Sequence, residues 1–248
     1  MINFAICISG HLRTFSNLKK NYLEFLNFLK KHGNVDVFLT TWNFLNAHIY
    51  YRPSEWDVNH LQNVKIPEIS EIQEHFKCKK LLTFDQNFFE SEYSPLRWNL
   101  LCSQDLSASA SDQKNNIFHF CKMLFLINQC NLLKQQEEFI NQKKYDVVFR
   151  IRPDYRFNLF NIKTLNVLRV KPNTLYTAAI HADLDDQFLY GDSLSMDVFS
   201  NSIYRLNHLF QNKMTFNCES VILESILKYS NIQIFNIEPA GELERNLQ

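Results

Sequence analysis

The chain opens on a short apolar run, Ile2 to Ile8, that stops at Ser9-Gly10. A continuous apolar run closed by a turn signal predicts a buried strand leading into a tight turn. Leu18, Tyr22, Phe25, Leu26 and Leu29 then recur at helical spacing, with Ser16 as a cap and Gly33 as a stop. Val35 to Thr41 reads as a second strand. Strand, turn, helix, strand in this order is a crossover between parallel strands. Residues 43–66 are irregular and aromatic, Ile69 to Phe76 predicts a short helix, and Lys80 to Phe84 a third strand. Residues 85–113 are polar and contain Ser107-Ala108-Ser109-Ala110-Ser111, so a loop that orders on ligand binding is expected there.

The strongest helical signal runs from Ile117 to Gln142, with Phe118, Cys121, Leu124, Phe125, Asn128, Leu132 and Phe139 on one face. Tyr145-Asp146-Val147-Val148-Phe149-Arg150-Ile151 follows as a strand that Pro153 ends. Leu175 to Ile180 and Phe188 to Tyr190 predict short strands, and Ile232 to Ile237 a last one. Ser193 to Leu209 and Glu219 to Tyr229 predict helices. The alternation argues an α/β fold, a mostly parallel central sheet flanked by helices.

Composition narrows the function. Lys plus Arg and Asp plus Glu both number 26, so the formal net charge is zero. Phosphate affinity at large scale rests on excess positive charge, so no nucleic-acid partner is expected. The most apolar helical stretch, Phe118 to Leu133, is broken by Lys122, Asn128, Gln129 and Asn131, which predicts a core helix and no transmembrane segment. Met1-Ile2-Asn3 lacks the basic region of a signal peptide, which points to a cytoplasmic protein. The six cysteines form no CxxC pair and read as reduced, buried thiols.

Ligands of open α/β sheets sit outside the carboxyl ends of the strands, and two motifs fall on such ends. Ser9-Gly10-His11-Leu12-Arg13 offers close backbone approach, N–H groups at a helix start and a guanidinium, which together suit a phosphate or diphosphate. A plain turn with a solvated Arg13 is the alternative. In Arg150-Ile151-Arg152-Pro153-Asp154 the two arginines share one strand face, a costly arrangement unless anions meet them. Asp154, just past the strand, is placed to hold a metal or a sugar hydroxyl; an internal ion-pair network is the other reading. A third cluster, Asp183 to Ser193, carries Asp186, Gln187, Gly191 and Asp192. It is suited to a divalent cation or a general base, or else it is an acidic loop with a helix cap at Asp192 or Ser193. Glu219 opens the later helix, where a carboxylate favours the helix dipole.

These motifs together resemble a family of bacterial glycosyltransferase-like proteins found with capsule and lipopolysaccharide genes. The blocks that carry the resemblance are Ser9 to Phe15, Asp36 to Trp42, Tyr145 to Asp154 and Asp185 to Asp197. A weaker block comprises Cys218-Glu219-Ser220 and the strand near Ile232 to Ile237, with Glu244-Arg245 after it. The resemblance implies a single GT-A-like domain over 1–248. Residues 1–113 would form a Rossmann-like nucleotide-binding half with a variable region at 85–113, and 114–248 the donor and acceptor half. It also implies sugar transfer from a nucleoside-diphosphate donor to a glycan or lipid-linked acceptor of surface polysaccharide synthesis, so a peripheral membrane contact stays open. Ser9, Gly10, His11 and Arg13 would face the nucleotide and its phosphates, and Arg150 and Arg152 the diphosphate. Asp154 would meet Mn²⁺ or Mg²⁺ or the donor sugar, and Gln187, Gly191 and Asp192 would line the site. Asp186 would serve as base, with Glu219 as second choice. In this family an acidic pair commonly meets the metal; here Arg152 stands in place of the first acid. A nucleotidyl- or phospho-group transferase and a non-catalytic glycan- or partner-binding module are the rival readings.

Overall fold

In a computed structural model the protein is described at residues 1–12, 15–43, 68–85, 88–89, 110–163, 165, 167–177, 184, 186–205, 223, 225–227 and 230–243. The opening apolar run becomes β1 (Ile2–Ser9), and the first amphipathic stretch becomes α1 (Phe15–Lys30). β2 (Gly33–Trp42), α2 (Ile69–Phe76), β3 (Lys80–Phe84), α3 (Ala110–Asn141) and β4 (Val147–Ile151) follow. The rest comprises β5 (Tyr155–Phe157), α4 (Leu159–Ile162), β6 (Thr174–Thr177), β7 (Phe188–Gly191), α5 (Ser193–Ser200), a 3₁₀ turn (Asn201–Arg205), β8 (Gln233–Asn236) and β9 (Gly241–Leu243).

Seven strands form the central sheet in the order β3-β2-β1-β4-β7-β6-β8, and β5 pairs with β9 in a separate ribbon. β3, β2, β1 and β4 are mutually parallel, β7 is antiparallel to β4 and to β6, and β8 is parallel to β6. One strand of the seven is therefore reversed, in agreement with the mostly parallel sheet predicted. Side chains alternate across each strand. Phe4, Ile6, Ile8, Val147, Phe149 and Ile151 pack on one face against Tyr22, Phe25 and Leu29 of α1. Ala5, Cys7 and Val148 pack on the other against Cys121, Leu124, Ile127 and Cys130 of α3. Successive right-handed crossovers in opposite directions along a sheet put their helices on opposite faces, which gives three layers.

Several elements differ from the sequence reading. α1 ends at Lys30, and Gly33 opens β2 instead of closing the helix. α3 starts at Ala110, so 110–113 belong to a helix and not to the polar loop; Ala110, Gln113 and Lys114 are good helix formers, and Asp112 suits the first turn. Phe139, placed on the apolar face by spacing, is 76% exposed. In the last turns the buried residues are Cys130, Asn131, Leu133, Lys134, Glu137 and Glu138, a stripe too polar to be read from hydrophobicity. β5 and β9 carry no sequence signal of their own; Phe157 is held by a stacked contact with Phe25, ring centroids 4.2 Å apart. Ser193 to Leu209 divides into α5 and the 3₁₀ turn up to Arg205. The remainder of that stretch and most of Glu219 to Tyr229 lie outside the described residues, as do residues 178–180 of the strand predicted from Leu175. Cys7, Cys78, Cys121 and Cys130 are buried free thiols.

Candidate functional site

From β1 the chain steps outward to β2 and β3, then returns through α3 to place β4 on the other side of β1. The order of strands thus reverses between β1 and β4. Ligands of open α/β sheets bind in the crevice outside such a point, at the carboxyl ends of the strands. Gly10, His11 and Leu12 leave β1, and Arg152, Pro153 and Asp154 leave β4. β7 runs the opposite way, so the residues just before it, Asp186 and Gln187, come to the same end. The register aligns Ile8, Ile151 and Phe188 in one row. One step beyond, the Arg152 N–H donates to the Gln187 carbonyl at 2.8 Å. Ser9, Gly10, Arg152, Asp154, Asp186 and Gln187, distant in sequence, therefore share one edge.

The two loops touch. Gly10 has φ 140°, and a Cβ there would lie 2.9 Å from Cδ of Pro153. Its N–H donates to the Thr40 carbonyl at 3.2 Å, which ties the loop to β2. The second loop is fixed from below by α1. The Tyr22 hydroxyl donates to the Arg152 carbonyl. The Asn21 side chain brackets Phe157, donating to its carbonyl at 2.9 Å and accepting from its N–H at 2.7 Å. Burial pushes the Tyr22 hydroxyl well above its usual range, and the nearby Asp154 charge pushes the same way, so it stays a donor. Asn21 and Tyr22 were missed by the sequence reading because they look like ordinary members of an amphipathic helix.

The charged residues occupy distinct environments. Arg150, on the strand face shared with Val148 and turned toward α3, is 1% exposed. Arg152 lies past the strand end, and its guanidinium grips Asp154 through two bonds, Nε to Oδ1 and Nη2 to Oδ2, both 2.9 Å. In that pair the arginine side chain is 25% exposed and the carboxylate side chain 9%. Asp186 is 6% exposed and has no hydrogen-bond or ion-pair partner among the described residues. The buried Ser9 hydroxyl also lacks a hydrogen-bond partner among them. Lys122 is a further buried cation at this end. The Thr40 hydroxyl donates to the Leu126 carbonyl, and Lys122 lies one helical turn, about 6 Å, closer to the carboxyl edge. Its only sequence signal was a charge inside an apolar run.

Other predicted residues have different surroundings. Asp192 caps α5: one carboxylate oxygen accepts from the N–H groups of Leu194 and Ser195 at 3.0 Å each. Its other oxygen accepts from the Ser195 hydroxyl and the Thr174 N–H. Gly191 pairs with Val148 and packs against the Thr174 carbonyl. Both lie toward the amino end of β4, apart from the crevice. This is the capping alternative of the sequence reading, and it follows from β7 running backwards through the sheet. Trp42, at the end of β2, is buried on Phe125 with ring centroids 5.9 Å apart. Arg13 and Glu219 lie outside the described residues. His11 is partly buried in the loop after β1.

The fit of a divalent metal turns on Asp154. Both of its oxygens are engaged by the Arg152 fork, and among the described residues no three His, Cys, Asp or Glu gather as a ligating group. This pair does not suit Mn²⁺ or Mg²⁺, which take several oxygen ligands. No helix among the described residues is long and apolar enough to cross a membrane.

No protein-family model matches the chain, and no curated protein matches it. Among solved structures, the apo form of the glycosyltransferase GlyE of Streptococcus pneumoniae TIGR4 is similar, with 10% identity and a TM-score of 0.39. The match covers 95% of this chain and 46% of GlyE, so the chain spans about half the length of that protein.

Proposed function

We propose that the protein is a glycosyltransferase that moves a sugar from a nucleoside-diphosphate donor to a glycan or lipid-linked acceptor. The observation that carries this reading is the meeting of the loops after β1 and β4 at the strand-order reversal. There a glycine-opened loop meets a loop bearing a guanidinium, with a buried carboxylate beside them. The four motif blocks that resemble the surface-polysaccharide family supply much of that edge.

Sugar transfer needs charge stabilisation on the departing diphosphate and removal of a proton from the acceptor hydroxyl. In this proposal Arg152 meets the diphosphate, and Arg150, buried in the strand before it, steadies the site. Backbone N–H groups after Gly10 approach the phosphates, which the missing side chain permits. Asp186 accepts the acceptor's proton through a carboxylate oxygen, and the acceptor oxygen then forms the new bond to the sugar. The sugar–phosphate bond breaks, and the electron pair leaves with the nucleoside diphosphate.

The test is product analysis with a panel of nucleotide sugars and mixed glycan acceptors. The expected product is a nucleoside diphosphate, lost in Asp186→Asn while nucleotide binding persists. Release of pyrophosphate would favour the nucleotidyl-transfer alternative. Full turnover by Asp186→Asn would remove Asp186 from the chemistry.

A further inference from the structure

We infer that the crevice takes its diphosphate without a divalent cation, with the Arg152 guanidinium supplying the positive charge. The inference rests on the preceding reading that the ligand is a nucleoside diphosphate, and it concerns how that ligand is held.

Three observations support it. First, Asp154 is the carboxylate where the family resemblance implies a metal, and both its oxygens accept from Arg152. A cation bound there would lie within a few ångströms of a guanidinium that is always charged. Second, the pair presents its cation to the outside: the Arg152 side chain is 25% exposed, against 9% for Asp154. The Nε–Nη2 edge grips Asp154, so an incoming anion meets the Nη1–Nη2 edge of the same guanidinium, whose paired donors match phosphate oxygens. Third, Arg152 is held in place from several sides. Its N–H donates to Gln187, and its carbonyl accepts from the Tyr22 hydroxyl and the Tyr155 N–H. With the side chain gripped by Asp154, little ordering remains when a ligand arrives, so the positive charge is preorganised. Asp154 is then a positioning residue for the guanidinium.

The experiment is calorimetric titration of the full chain with UDP, GDP, ADP and dTDP, in buffer containing EDTA and in buffer containing Mn²⁺. One nucleotide is expected to bind with dissociation constants that agree within about twofold between the buffers. Arg152→Gln should weaken that binding by about tenfold or more in both, with Arg152→Lys recovering part of it. Asp154→Asn should weaken it less and remain indifferent to Mn²⁺. The comparison of buffers uses the unaltered protein, so it stands even where a variant folds poorly. Binding that requires Mn²⁺, or Asp154→Asn that loses a Mn²⁺-dependent gain, overturns the inference and leaves the proposed function intact. No binding of any nucleotide in either buffer overturns both.

Discussion

Gly10 is where one residue type decides the shape of the crevice. Its φ of 140° is unfavourable for L side chains, and an added Cβ would press on the Pro153 ring at 2.9 Å. A proline ring cannot rotate away, so Gly10→Ala must shift one of the two loops. A loss of about 1–3 kcal/mol is expected for such backbone strain, read as a lower urea midpoint with an unchanged slope. An unchanged midpoint would mean that the loops do not meet as described. Tyr22 tests the support from below. Tyr22→Phe removes the donor to the Arg152 carbonyl and should cost about 1–2 kcal/mol for a buried acceptor left unmet. If Tyr22 also positions the Arg152 loop, nucleotide affinity falls with it. Loss of stability alone, with affinity intact, would confine Tyr22 to the fold.

Among the elements, α3 carries the least expected feature. Lys134 is fully buried and donates to the Ser193 hydroxyl at 2.7 Å and to Asp197 at 2.7 Å. Glu138, 3.5 Å from the same ammonium, also accepts from the Ser193 hydroxyl and from Lys144. This network pins the last turns of α3 to the start of α5, at the end of the sheet opposite the crevice. Lys134→Met leaves Glu138 and Asp197 with the exposed Lys144 as their remaining cation among the described residues and should cost about 3–5 kcal/mol; a cost below about 1 kcal/mol would mark the network as dispensable. Its pH dependence has a definite sign. Burial alone would raise the Asp197 pKa, but the Lys134 charge and hydrogen bonds outweigh it and hold the carboxyl below its usual value. Stability from this group is therefore present above the unfolded carboxylate pKa, about 4. It is lost as pH falls through the lower folded value. Urea midpoints should drop as pH falls below about 4, and less steeply in Asp197→Asn. Equal slopes in both proteins would assign the acid transition to other groups.

How much of this was legible follows from what each signal measures. β1, α1, β3 and α2 are set by local apolar periodicity, and that periodicity is in the sequence. The end of α3 is not, because its buried stripe contains Lys134, Glu137 and Glu138, satisfied by partners far along the chain. β5 and β9 are set by tertiary pairing of three residues each. At the crevice, Gly10, Arg152, Asp154 and Asp186 were readable as residues of interest. Their mutual geometry was not: the Arg152–Asp154 fork depends on how the chain turns after β4. Gly191 and Asp192 looked like neighbours of that site because the sequence does not reveal that β7 runs backwards.

At the scale of the whole molecule the two ends of the sheet have separate work. One end carries the capped helix and the buried ion network; the other gathers the loops after β1 and β4. The central claim is that a nucleoside diphosphate binds at the second end. The most direct test is a thermal-shift panel of UDP, GDP, CMP, ADP and dTDP on the unaltered protein, on Arg152→Gln, and on Lys143→Gln as a control at the opposite edge. A ligand at about 100 times its dissociation constant adds about 2.7 kcal/mol, which for a chain of this size raises Tm by roughly 5–10 °C. The account predicts such a rise with one nucleoside diphosphate, retained in Lys143→Gln and cut to about half or less in Arg152→Gln. No rise with any nucleotide, or a rise that Arg152→Gln leaves untouched, would contradict it.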